Sequence, residues 1–367
     1  MTASVNTNPK SVPALGILGS DSLASLLQSR ARKAGIAVTA GTDVAALRDC
    51  EAIWITDSTA NLPEAGNVPI PAVRVITGYL PAQHAEPELP ILRLTRPGET
   101  GSLAELLPTP QSADTVLSII AAQVGQLGYT TVVLATAEQG FADRVTHSLM
   151  IEAMALLGEG VPPQKIEDAA TDFGMQEPPL AMLDTLSLTV MDHALHAELN
   201  ALEHGHDHQH DHKHDHAHNH DHGHDHGHQH GVSSQRFPES AVYVLEKMAH
   251  GFDRMGAASG YGFYDHEEDG SRELWDGLSV FSRGAKPIPD QDILDRLVYV
   301  QALEARRCIN EGLLSAAQAD LASVTGWAFP EATGGISSWL RDVGSDQFTS
   351  RATELATSYG ERFQPAG

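Results

Sequence analysis

Two cysteines, Cys50 and Cys308, are all that 367 residues contain. This excludes a disulfide framework and fits a reducing compartment, and neither thiol sits in a nucleophile motif. No apolar run reaches the roughly 18 residues that a membrane-crossing helix needs, and the opening MTASVNTNPK lacks the apolar centre of a secretory leader. The chain is therefore expected to be cytoplasmic, without a membrane span. Basic residues are also scarce: 23 Lys and Arg stand against 48 Asp and Glu, a formal charge of −25. A surface of that sign repels phosphate backbones and anionic lipid heads, which argues against nucleic acid as a partner. Hydrophobic residues make up 41% of the chain, enough for real cores, and the length suggests roughly two or three domains.

What the chain has in excess is histidine. The stretch from Glu203 to Gly231 places it at His204, His206, His208, His210, His212, His214, His216, His218, His220, His222, His224, His226, His228 and His230, with Asp207, Asp211, Asp215, Asp221 and Asp225 between them. In an extended backbone, side chains two apart share a face, so the tract could form a ladder of imidazoles suited to Zn, Ni, Co or Cu. The alternative is an unstructured low-complexity insert that binds metal only as any histidine run does. His193 and His196, at i and i+3 just before it, could extend such a site or be ordinary surface residues.

Before the tract, the pattern alternates. Ala14 to Leu18 reads as a strand, Gly19-Ser20-Asp21 as a turn and the following SLASLLQSRARKAG as a helix; further strands are expected at Ile36 to Ala40, Ala52 to Ile55, around Val73 to Ile76, at Ile91 to Leu94 and at Tyr129 to Thr136. A helix is expected from about Ser112 to Leu127. Alternation of this kind argues for a parallel α/β sheet. At the first turn, Gly19 is the one glycine left of a dinucleotide-binding GxGxxG pattern, and Asp21 stands where a second glycine would let a pyrophosphate approach. Asp43 is loosely spaced to hold a ribose; a fold-bearing turn without a nucleotide is the favoured reading. From Ala60 to Pro90 proline is frequent and periodicity weak, as if part of the scaffold were shortened to loops.

Beyond Gly140-Phe141 the pattern is helical, and it repeats. At an offset of 152 residues, Arg144, Glu152, Ala153, Glu159, Gly160, Asp168, Ala170, Gly174 and Pro178 match Arg296, Glu304, Ala305, Glu311, Gly312, Asp320, Ala322, Gly326 and Pro330. Chance similarity of two amphipathic helices is the competing reading, but both copies share the Glu-Gly ending, which favours a duplicated helical unit.

Several stretches resemble the 3-hydroxyacyl-CoA dehydrogenase family, most closely the dehydrogenase part of the multifunctional α-subunits of fatty-acid β-oxidation. They are Glu105-Leu-Leu, Gly140-Phe141 to Gly160, Phe173-Gly-Met175 with Pro179-Leu180 and Leu183-Asp184, Ser259 to Tyr264, and Tyr359 to Phe363. The resemblance implies an α/β Rossmann-like N-terminal domain, here shortened, over residues 1–137. Two related all-α helical domains would follow, over 138–287, with the unstructured insertion 203–231, and over 288–367. It implies NAD as cofactor, acyl-CoA as substrate, and a homodimer or a β-oxidation partner.

In that family a histidine held by a glutamate twelve residues later takes the proton of the substrate hydroxyl while hydride leaves for nicotinamide. Here Glu105 holds the glutamate position and Arg93 the histidine position. A guanidinium cannot accept a proton at physiological pH. His84 and His147 are the neighbouring histidines, and neither is at the family position. Asp143 replaces the family's asparagine, Thr77 to Leu80 replaces a polar substrate loop, and Ala257-Ala258 replaces a basic pair. These changes imply a retained scaffold with weakened or lost catalysis. The alternatives are a divergent dehydrogenase with another base, or a scaffold that binds metal, acyl-CoA or a partner.

Overall fold

The computed structural model describes residues 14–56, 71–77, 89–96, 101–136, 140–205, 237–282, 287–327 and 329–365. Seven strands form one sheet: β1 (Leu15–Leu18), β2 (Val38–Gly41), β3 (Ala52–Ile55), β4 (Ala72–Thr77), β5 (Ile91–Leu94), β6 (Leu103–Leu107) and β7 (Thr130–Val133), in the order β2-β1-β3-β4-β5-β6-β7. Helices α1 (Ser22–Lys33) and α2 (Asp114–Gln126) serve this sheet. The central strands β1 and β3 are buried at every position because both faces are covered. In β3, Trp54 packs with the α1 and α2 side chains Leu27, Ala31, Ile120 and Val124, while Ile53 and Ile55 pack with Leu47 and Cys50 on the opposite face.

The expected all-parallel sheet is corrected at one place. β6 runs antiparallel to β5, with Arg93 opposite Glu105. Only residues 95–102 join the two strands, fewer than the dozen or so that a crossover needs, so a reversal is the available connection. β6 then pairs in parallel with β7 through the α2 crossover. The sequence reading had placed no strand at LAELL.

Helices follow: α3 (Phe141–Gly158), α4 (Pro163–Phe173), α5 (Pro179–Leu186), α6 (Leu188–Gly205) and α7 (Glu239–Glu246). A two-stranded hairpin of β8 (Tyr264–His266) and β9 (Arg272–Leu274) comes next, then α8 (Asp290–Asn310), α9 (Ala316–Trp327), α10 (Ile336–Val343) and α11 (Ser345–Tyr359). His204 lies in the last turn of α6, whereas His206 to His230, His84 and residues 78–80 fall outside the described residues. Most of the proline-rich span 60–90 does so too, residues 71–77 and 89–90 excepted.

The chain divides into two compact units, one of Met1–Thr146 with Ala302–Phe348, the other of His147–Gln301 with Thr349–Gly367. The repeat is visible inside each. In the first unit Arg144 donates to Glu304 (2.6 Å) and Glu311 (2.5 Å). In the second, Arg296 donates to Glu152 (2.5 Å) and Glu159 (2.5 Å). Each arginine therefore grips the glutamates of the other copy. The helix endings repeat as well: the Val161 amide returns to Leu156 and the Leu313 amide to Cys308, around Gly160 and Gly312, both with positive φ.

Candidate functional site

β5 and β6 present Leu92, Leu94, Ala104 and Leu106 to the core under α1 and α2, so strand alternation sends Arg93 and Glu105 to the opposite face. α3 begins there. The Ala142 amide, in the first turn of α3, donates to Glu105 Oε1 at 2.8 Å. Glu105 therefore caps the helix from a distant strand, at the end where the helix dipole favours a negative charge.

Arg93 lies between two carboxylates. It donates through Nη1 to Glu105 Oε2 at 3.3 Å and through Nη2 to Asp143 Oδ1. Arg93 is 5% exposed, Glu105 0% and Asp143 2%. A carboxyl group with so little exposure is favoured to retain a proton. Burial pushes the Glu105 carboxyl above its ordinary range, against the pull of Arg93 and the Ala142 amide. Gly140 closes over the cluster: a Cβ there would stand 2.6 Å from Glu105 Oε2 and 3.4 Å from Arg93 Cδ. The three side chains thus form a packed ionic core element. Sequence reasoning had named all three residues but not their joining; the Gly140-Phe141 helix start beside Asp143 was the available signal.

The first turn of the sheet is also occupied by its own residues. Gly19 leaves β1 with a φ of 148°. Asp21 then caps α1, its Oδ1 accepting from the Ala24 amide at 2.6 Å. A phosphate at this helix end would meet a carboxylate already holding an amide, so the residues present do not fit a pyrophosphate. Asp43 likewise caps the short helical turn Val44–Leu47 by accepting from Ala45 at 2.9 Å. The Thr56 hydroxyl, just past β3, is buried without a hydrogen-bond partner among the described residues. It marks the crevice between β1 and β3, where an open α/β sheet receives its ligand.

His147 is 4% exposed and packs edge-on to Phe237, with ring centroids 5.6 Å apart. Its partners place it in the core of the second unit. His196 and His250 both lie near Asp192, His250 at 3.1 Å and His196 at 3.6 Å. No group of three or more His, Cys, Asp or Glu among the described residues is arranged to hold a metal ion. No helix among them is long and apolar enough to cross a membrane.

Known proteins carry the same pattern. Residues 140–266 match the family model for the 3-hydroxyacyl-CoA dehydrogenase C-terminal domain. The fatty acid oxidation complex subunit alpha of Vibrio parahaemolyticus is 23% identical over 273 residues, 73% of this chain and 34% of that protein. The corresponding subunit of Shewanella oneidensis is 23% identical over 276 residues, with the same coverage. The chain thus spans about a third (34%) of the length of these curated relatives. Among solved structures, the fold is similar to a 3-hydroxybutyryl-CoA dehydrogenase from Escherichia coli, with a TM-score of 0.68, 15% identity and 97% of each chain covered. It is also similar to the dehydrogenase part of a multifunctional enzyme from C. elegans, with a TM-score of 0.63, 14% identity, and 97% and 88% covered.

Proposed function

Because the chain belongs to the 3-hydroxyacyl-CoA dehydrogenase family, we propose that it is a dehydrogenase-like protein of fatty-acid β-oxidation in which the hydride-transfer activity is weakened or lost. The observation that carries this reading is Arg93, which donates to Glu105 and Asp143 where the resemblance places a histidine base. General base catalysis needs a group that can take a proton within hydrogen-bond reach of the substrate hydroxyl. A guanidinium cannot do so, and Glu105 is committed to Arg93 and to the α3 amide. Asp21 supports the same reading from the cofactor side, since it occupies the helix end that would receive the NAD pyrophosphate.

What the scaffold retains points to binding. The acyl-CoA and a β-oxidation partner are the ligands that the family relationship suggests, and the helical units hold together around Arg144 and Arg296. The direct test is turnover of acetoacetyl-CoA with NADH, alongside calorimetric titration of each ligand. Turnover at the rate of an ordinary family member would overturn the proposal. Binding of acyl-CoA without turnover is the expected result.

A second reading is carried by the tract itself. The alternate histidines from His204 to His230 supply more imidazoles than any single ion needs, so the tract would take up Zn, Ni, Co or Cu in the Irving–Williams order. Calorimetry with Zn and Ni should show several sites that disappear when residues 203–231 are deleted. Unchanged stoichiometry after deletion refutes it.

A further inference from the structure

In the second unit, α4 and α5 reach the β8–β9 hairpin through two buried carboxylates. Asp184, 1% exposed, accepts the Phe263 amide at 2.8 Å, the Tyr264 amide at 2.9 Å and lies 2.8 Å from His266 Nε2. Glu167, 3% exposed, accepts the Leu180 amide at 2.9 Å and the Tyr264 hydroxyl. The approach is close: a Cβ on Gly262 would stand 2.0 Å from Asp184 Oδ1. The hairpin is thus docked on two acids, and its attachment depends on their charge.

Neither acid has a lysine or arginine among these hydrogen-bond partners. The basic group bonded to Asp184 is His266, and the Arg272 charge reaches Glu167 only through space, where it opposes the effect of burial. Arg272 stands over the Tyr264 ring at 5.1 Å and bonds to Glu177. Arg254 is taken up by the Gly262 and Tyr264 carbonyls and by Asp265. With Glu167 protonated, the acid that holds the Tyr264 hydroxyl is neutral. After it loses that proton, a carboxylate without a hydrogen-bonded cation faces Tyr264 in a place where buried charge is expensive.

We propose that the hairpin is a pH-set latch, docked firmly on α4 and α5 when Glu167 is protonated and loosened when it is deprotonated. Burial supports this independently of the bonding pattern, pushing the Glu167 carboxyl up to about 7 against the opposing Tyr264 hydrogen bond and the Leu180 amide. The order is fixed by sign: lower pH closes, higher pH opens.

Hydrogen exchange of the full chain tests this at the Phe263 and Tyr264 amides between pH 6 and pH 8, with the intrinsic rate divided out. Protection should fall about tenfold or more across that range, corresponding to at least one unit of differential proton affinity, while Ile53 and Trp54 in the sheet stay constant. Glu167→Gln should flatten the profile. If that variant does not fold, Tyr264→Phe, which removes the hydroxyl that favours the ionised acid, should move the fall to higher pH. Constant protection in the native chain overturns the latch, as does an unchanged profile in the variant that folds. A parallel loss at Ile53 and Trp54 also overturns it, because the loosening would then be global.

Discussion

Arg93 and Glu105 stand opposite one another on antiparallel β5 and β6, and Nη1 of the arginine donates to Oε2 of the glutamate at 3.3 Å. Asp143 takes the other arm of the guanidinium. Removal of the cation leaves two carboxylates without it in a place of almost no solvent access. Arg93→Met should lower the unfolding free energy by about 3–5 kcal/mol. The combined Arg93→Met, Glu105→Gln, Asp143→Asn variant should regain much of that loss. Urea denaturation distinguishes the two; a neutral single variant would mean that the cluster is not an ionic element.

Asp21 caps α1 with the carboxylate that accepts from Ala24. Asp21→Gly removes that charge and restores the middle glycine of the pattern. Since glycine is itself a fair cap, stability should fall by only a few tenths of a kcal/mol. NADH affinity, read by fluorescence titration, should rise by about tenfold, the equivalent of 1.4 kcal/mol. An unchanged affinity would show that Asp21 does not govern cofactor access.

The two repeat-related arginines should differ in weight. The Arg296 and Glu152 side chains are both 0% exposed, whereas Arg144 is 14% exposed and its partner Glu311 is 54% exposed. Arg296→Leu should therefore destabilise by about 3–5 kcal/mol, and Arg144→Leu by roughly half as much, since solvent screens exposed pairs. Matched thermal melts of the two variants check the order. Equal losses would contradict the burial argument.

Stability should also respond to Glu167. Its carboxyl titrates near 7 in the folded chain, raised by burial from 4.5. The folded state therefore binds the proton more tightly than the unfolded chain does. This contribution is fully present below about 4.5 and is lost as pH rises through about 7, up to about 3 kcal/mol in all. Denaturation of native and Glu167→Gln proteins at pH 5 and pH 8 should show a pH slope that the substitution reduces.

Local relations were legible and distant ones were not. The turn at Gly19 and the helix after Asp21 follow from neighbouring residues, and the structure has them at β1 and α1. The β6 strand was missed because LAELL is short, apolar at every position but Glu105 and lacks alternation, which is what burial on both sides produces. Glu105 as the cap of α3 joins residues 37 apart, beyond any capping pattern in sequence. Leu183-Asp184 was recognised as a family stretch without a physical role; its role is to receive the Phe263 and Tyr264 amides. The repeat itself was readable from identities, but nothing in them says which copy's glutamates each arginine takes.

That exchange carries a consequence for synthesis. Arg144 and its partners Glu304 and Glu311 are separated by 160 and 167 residues. At roughly 5–20 residues per second the arginine leaves the ribosome about 10–30 s before the first glutamate. The first unit, which needs Ala302–Phe348, cannot close during that interval. A segment made later thus completes a unit whose arginine was made earlier.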